Sequence, residues 1–246
     1  DRPRVVADRL AASLHVVTAP EHVAPYARIV THVFGEHLGE WERGVRMLES
    51  LRGLPAFDRS PAVEGAVARG IGALRYAEGD AHALDALTSD DRIVAIATAA
   101  SAFKRALAAY GQALALAEAG LAPGSSALRA LAIGGNNLAS ALEGKRDRDG
   151  VETRGMIVAA EAALWYWTLA GTWLEEERAH YRLARSLLRA RRPRDAVESA
   201  RRCVDVCERN DAPAFERFFG HAVLAVAQRD AGDVAEFEAS RREAAR

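Results

Sequence analysis

A short phrase recurs along this chain at intervals of about 40 residues: a turn rich in Gly, Asp, Glu or Arg, followed by an Ala- or Leu-rich stretch of helical character. It stands at Gly39-Glu40-Trp41-Glu42-Arg43, Gly79-Asp80-Ala81, Arg194-Asp195-Ala196-Val197-Glu198 and Gly232-Asp233-Val234-Ala235-Glu236. A period of this size constrains the fold more than any single residue does. Each unit is one supersecondary element that cannot bury its apolar face alone, so neighbours must stack. The spacing is uneven, shrinking to about 30 in the middle and stretching to about 46 before the best-preserved unit, which describes a degenerate array.

Strand-forming residues are scarce and Ala, Leu, Arg and Glu dominate, so the expected fold class is all-α. Apolar residues recur at helical spacing from the start, at Val6, Leu10, Leu14 and Val17, then Val23, Ala27, Val30 and Phe34. Breaks are predicted at Pro20, at Gly53 to Ser60 with Ser60-Pro61 as N-cap and first helical residue, and at Thr88-Ser89-Asp90. Further breaks fall at Ala122 to Ser125, Gly144 to Gly150, Ala170-Gly171-Thr172, Arg191 to Pro193, Asn210 to Pro213 and Gly232-Asp233. About a dozen helices joined by short turns follow, with no segment that reads as a flexible linker. Consecutive helices with short connections run antiparallel, and the expectation is one domain of six hairpins spanning 1–54, 55–88, 89–122, 123–170, 171–210 and 211–246.

The unit from Thr172 to Glu208 places Leu183, Ala184 and Leu187 on a first helix and Ala196, Ala200 and Cys203 on a second. In this pattern the chain resembles the tetratricopeptide repeat family, in a degenerate bacterial form with repeats longer than the family's usual length. Small residues at those positions let two helices approach closely. Gly72 after Ile71 and Ala225 after Leu224 match more distantly, and Asn137 to Val151 overlays Leu183 to Val197 without a gap. The resemblance implies a right-handed α-solenoid whose concave groove binds a protein or peptide.

One helix face carries Arg178, Arg182, Arg185, Arg189 and Arg192 at spacings of 4, 3, 4 and 3. No acid intervenes on that face, so the guanidinium groups are expected to repel one another and to favour an anionic partner. A solvated face, supported by the pairs Glu175–Arg178 and Glu198–Arg202, is the competing reading. On the resemblance, Arg178, Arg185 and Arg189 line the groove with Tyr181 and Leu188 beside them. Replacing Arg182, Arg185 and Arg189 with Ala is then expected to remove partner binding and leave the melting curve nearly unchanged. Asn136 and Asn137 follow Gly134-Gly135, and Gly135-Asn136 looks like the pair with which some family members clamp a peptide's carboxylate. Those members carry Lys three residues before the Gly, where this chain has Ala132. A structural amide bonding a neighbouring backbone is the alternative role for either Asn.

No catalytic constellation emerges. His32 with Glu36 and Glu176 with His180 are isolated i,i+4 pairs, and the first misses every zinc-protease spacing. Ser125-Ser126 and Ser140 have no visible base, and Gly65, Gly70 and Gly72 sit in a helical pattern where they serve close packing. No cofactor or metal site is expected. An all-α hydrolase or metalloenzyme stays as the minor alternative to a non-enzymatic protein. The aromatic cluster Trp165, Tyr166, Trp167 and Trp173 reads mainly as core, and Trp41 as a structural aromatic at a helix start.

A formal net charge of -1 gives no global attraction to nucleic acid or an anionic membrane. The apolar run Met156 to Leu174 is interrupted by Glu161 and Gly171 and reads as a buried helix followed by a turn. Cys203 and Cys207, four apart on one helix, are poorly placed for a disulfide and fit a reducing, cytoplasmic setting. All but two of the 33 basic residues are Arg, a bias that fits GC-rich codons and a bacterial source. The chain opens at Asp1 with no basic-then-apolar signal segment and is expected to be part of something larger. The leading expectation is a scaffold that binds an acidic or carboxylate-bearing protein or peptide. The alternative is a regulatory or sensor domain of a larger bacterial protein, such as a transcriptional activator, that binds a small effector or peptide. Self-association stays open.

Overall fold

The computed structural model describes residues 2–80, 82–99 and 106–245. Among them lie twelve α-helices and no strand: α1 (Arg2–Ala12), α2 (Pro20–Val30), α3 (Trp41–Ser50), α4 (Pro61–Glu78), α5 (Ser89–Ala99), α6 (Ala106–Ala117), α7 (Ser126–Gly144), α8 (Gly150–Ala170), α9 (Trp173–Arg189), α10 (Pro193–Arg209), α11 (Ala214–Ala231) and α12 (Val234–Ala244). The all-helical class and the dozen helices therefore stand as the sequence predicts. The recurring phrase at Gly79-Asp80 runs into Ala81, which lies outside the described residues. None of the described helices is long and apolar enough to cross a membrane, and the run from Met156 is indeed cut by a turn at Gly171-Thr172.

The helix ends follow from local chemistry. Pro20, Pro61 and Pro193 each occupy a first turn, where the missing N–H costs nothing. The Ser60 hydroxyl accepts the Val63 N–H at 3.4 Å, and Thr88 accepts the Asp91 N–H at 3.2 Å. Two reciprocal capping boxes start α8 and α9: Asp149 with Glu152, and Thr172 with Glu175. Replacing Thr172 with Ala is expected to cost about 1 kcal/mol, read as a lowered urea midpoint followed by tryptophan fluorescence. An unchanged midpoint would show that the box contributes nothing to α9.

The chain falls into two compact units, Asp1–Ala130 and Leu131–Arg246. In the first, Val23, Val30, Phe34, Leu48, Leu51 and Val67 are fully buried in one core. Val6 is 41% exposed and Ala7 takes its expected place inward, three residues before Leu10, because an apolar row read from α1 alone can be off by one position. Between α2 and α3 the chain winds as a π-helix over Thr31–Leu38, ended by Gly39 in the left-handed region at φ 64°. Gly70 sits where α4 meets α3. A Cβ there would stand 2.9 Å from both Leu48 Cδ1 and Thr31 Oγ1, the close packing expected of that glycine. Gly65 has no such neighbour beyond the Arg69 side chain.

In the second unit α9 packs on α8 and α10, α10 on α11, and α11 on α12. The connections at 171–172, 190–192, 210–213 and 232–233 are so short that each helix must fold back on its predecessor. Ala184, Ala196 and Ala200 are fully buried where α9 meets α10. Their small size lets the Ser199 hydroxyl reach the His180 carbonyl across that seam at 3.0 Å.

Candidate functional site

Five of the seven residues singled out from the sequence lie on α9, and the helices α7, α10 and α11 supply acids to the Arg face. Arg178 donates to Glu216 of α11. Arg182 donates to Glu143 Oε2 at the end of α7 at 2.9 Å, Arg185 Nε stands 3.4 Å from the same oxygen, and the Ser186 hydroxyl donates to Glu143 Oε1 at 2.9 Å. Arg192 pairs with Asp195 at the start of α10. Four of the five guanidinium groups thus stand beside an acid. The Glu143 side chain is 3% exposed and that of Arg182 19%, so their pair is largely desolvated and forms part of the structure of the unit. Truncating Arg182 cannot leave the melting curve unchanged, which corrects the expectation for that residue.

The remaining cations are presented outward. Arg185 lies over the Tyr181 ring at 5.7 Å from its centroid. Tyr181 meets Phe219 edge to face at 5.9 Å, and Phe219 in turn meets Phe215 at 4.9 Å and Phe218 at 5.2 Å. Phe215 and Phe218 are 65% and 48% exposed. The Arg189 side chain is exposed with no partner among the described residues, while its backbone carbonyl accepts from Arg148. The three phenylalanines were not singled out from the sequence. Their signal was there, since Phe215, Phe218 and Phe219 cluster within two turns directly after Pro213.

Asn136 and Asn137 are half-buried on α7. Asn136 lies seven residues before Glu143, on the helix face that meets α9. Ala132 is fully buried with Trp167 and Ala179. The position at which a carboxylate clamp would need Lys is therefore core, which removes the basis for that clamp.

Beneath the Arg face lies a buried acid. Glu177 is 1% exposed and accepts from the Cys203 thiol at 3.0 Å, while its second oxygen is buried without a hydrogen bond. Burial pushes its carboxyl upward, with the Glu216 carboxylate adding to this and the Cys203 bond opposing it. His180 is 9% exposed, and burial, aided by Arg202 and Arg209, depresses its imidazole to about 4. It is neutral at neutral pH, and its Nδ1 has no hydrogen-bond partner. Glu176 lines an open cleft of about 360 Å³ with Trp167, Trp173, Arg209 and Asn210. Trp167 is core as expected, whereas Trp165 is 61% exposed.

In the first unit, His32 Nε2 and His37 Nε2 stand 3.1 Å apart, because the π-helix brings residues five apart into register. The side chain of Glu36, the residue paired with His32 in the sequence reading, lies outside the described ones. Among the described residues no group of three or more His, Cys, Asp or Glu could hold a metal ion. Ser125 donates to Asp90 at 2.6 Å and also caps the backbone of Ala127, a structural link between helices. Comparison with protein-family models, curated proteins and solved structures found no match to this chain.

Proposed function

We propose that this chain is a non-enzymatic scaffold whose hairpins stack as a tetratricopeptide-like solenoid, and that it binds a protein or peptide on the face formed by α9 and α11. The observation that carries this reading is the exposed aromatic row of Phe215 and Phe218, backed by Phe219 and Tyr181 and bordered by Arg178 and Arg185, with Arg189 exposed further along α9. Aromatic and Arg side chains are the usual anchors of binding surfaces, and exposed phenylalanines in contact with one another cost solvation unless a partner covers them. The ligand chemistry that suits this row is an apolar or aromatic side chain with a carboxylate beside it. The apolar group would lie on the Phe row and the carboxylate on the forks of Arg185 and Arg189. The stacking of each helix on the next, with small residues at the α9–α10 seam, supports the repeat reading.

Fluorescence anisotropy with a library of acidic peptides, each carrying one aromatic residue and a free C-terminal carboxylate, tests this. Binding is expected to weaken with added salt and to fall by about tenfold or more in the R185A/R189A and F215S/F218S variants. F215S/F218S should hardly move the thermal melt, and R185A/R189A should lower it only slightly, through the contact of Arg185 with Glu143. A library without a binder, or affinities indifferent to both variants, would refute the assignment.

A further inference from the structure

The outer face of α8 carries a second, separate apolar row. Val151, Val158, Trp165 and Leu169 are 61%, 49%, 61% and 51% exposed, while the opposite face of the same helix buries Met156, Ala160, Ala163 and Trp167. Seven residues complete nearly two helical turns, so Val151, Val158 and Trp165 lie in line, with Leu169 one turn further on. Gly155 and Ala162 occupy the same face between them and offer no bulk against a close neighbour. A run of this size with an exposed Trp is characteristic of an interaction surface rather than of scattered surface apolar residues.

We propose that this face pairs with α8 of a second copy of the chain, antiparallel, about a twofold axis through Val158. The central part of the row is symmetric about that residue: Val151 lies seven positions before it and Trp165 seven after. An antiparallel copy therefore sets Val158 on Val158, and Val151 against Trp165 in both halves, as an isologous interface requires. Charge fits the same axis. Arg154 and Glu161 flank the row four residues before and three after Val158, both are exposed, and neither makes an ion pair among the described residues. The antiparallel arrangement brings Arg154 of each copy beside Glu161 of the other, two cross pairs that fix register. One helix pair is a small interface, so association in the micromolar range is expected. The inference does not rest on the peptide-binding reading, because it uses a different helix and none of the residues assigned to the ligand.

Sedimentation velocity of the full chain, from about 1 to 200 µM, decides it. The native chain should shift from monomer to dimer across that range. V158K, which places two ammonium groups on the axis, and W165S should each weaken association by at least about tenfold with an unchanged helical melting curve. R154E should weaken it similarly, and R154E/E161R should restore it to within about threefold of the native chain. A chain that stays monomeric throughout, a dimer that survives V158K, or a charge-swapped double variant no better than R154E would each overturn the proposal.

Discussion

Replacing Arg182 with Ala is expected to destabilise the C-terminal unit by about 2 to 3 kcal/mol, far more than an ordinary surface arginine. Removing the guanidinium leaves the Glu143 carboxylate buried with Ser186 and only the 3.4 Å approach of Arg185. A fully orphaned buried charge costs more, and those two contacts hold the loss below that limit. R185A should cost well under half as much, since that side chain is 41% exposed and the larger share of the pairing lies with Arg182. The double variant E143Q/R182Q removes both charges and should recover part of the loss, the non-additivity expected of a directly coupled pair. Urea unfolding of the four proteins measures this. Equal midpoints for R182A and R185A would show that the ion pair carries no special weight.

Acidification should weaken the fold between pH 6.5 and pH 4 through His180. In the unfolded chain this imidazole titrates near 6.5, whereas in the folded unit it is held to about 4. Below pH 6.5 the unfolded state takes up the proton first, so stability falls as pH drops and the loss is complete near the folded value. The full difference corresponds to about 3 kcal/mol, and above pH 6.5 the group contributes no slope. Around His180 the groups that act on it are Arg202, Arg209 and Asp205, the last opposing the other two. Glu177 has the opposite sign. Its raised carboxyl binds a proton more readily when folded, which stabilises the unit on acidification and offsets part of the His180 loss. H180Q should therefore flatten the dependence of the urea midpoint on pH between 7 and 4.5. A variant that keeps the native slope would assign the acid sensitivity elsewhere.

The features legible in the sequence were those written in local chemistry. Pro at the first helical turn, Ser60 and Thr88 as caps and the turn at Gly171 all depend on residues a few positions apart. The small residues Ala184, Ala196 and Ala200 were legible because a close helix pair leaves a fixed spacing in the chain. The character of the Arg face was not. Its acids arrive from residues 38 and 39 positions away, Glu216 and Glu143, and no spacing rule within α9 reports them. The same holds for the π-helix that brings His32 beside His37. Phe215 and Phe218 could be found as a cluster but not as exposed residues, since a phenylalanine in a helix that contains an apolar face is ordinarily core. Trp165 eluded the reading of α8 for that reason too.

The arginine row thus divides into two parts. Arg182 closes a buried ion pair that holds α9 to α7, Arg185 stands over Tyr181 at the edge of an exposed aromatic row, and Arg189 is exposed further along α9. An NMR titration of the isotope-labelled chain with the tightest-binding acidic peptide tests this division most directly. The account predicts that the shifted resonances cluster on residues 178–189 and 214–221, with Tyr181, Phe215 and Phe219 among the largest and Arg182 moved less than Arg185. Shifts confined to the outer faces of α8, α10 or α12, or no shifts at millimolar peptide, would contradict it.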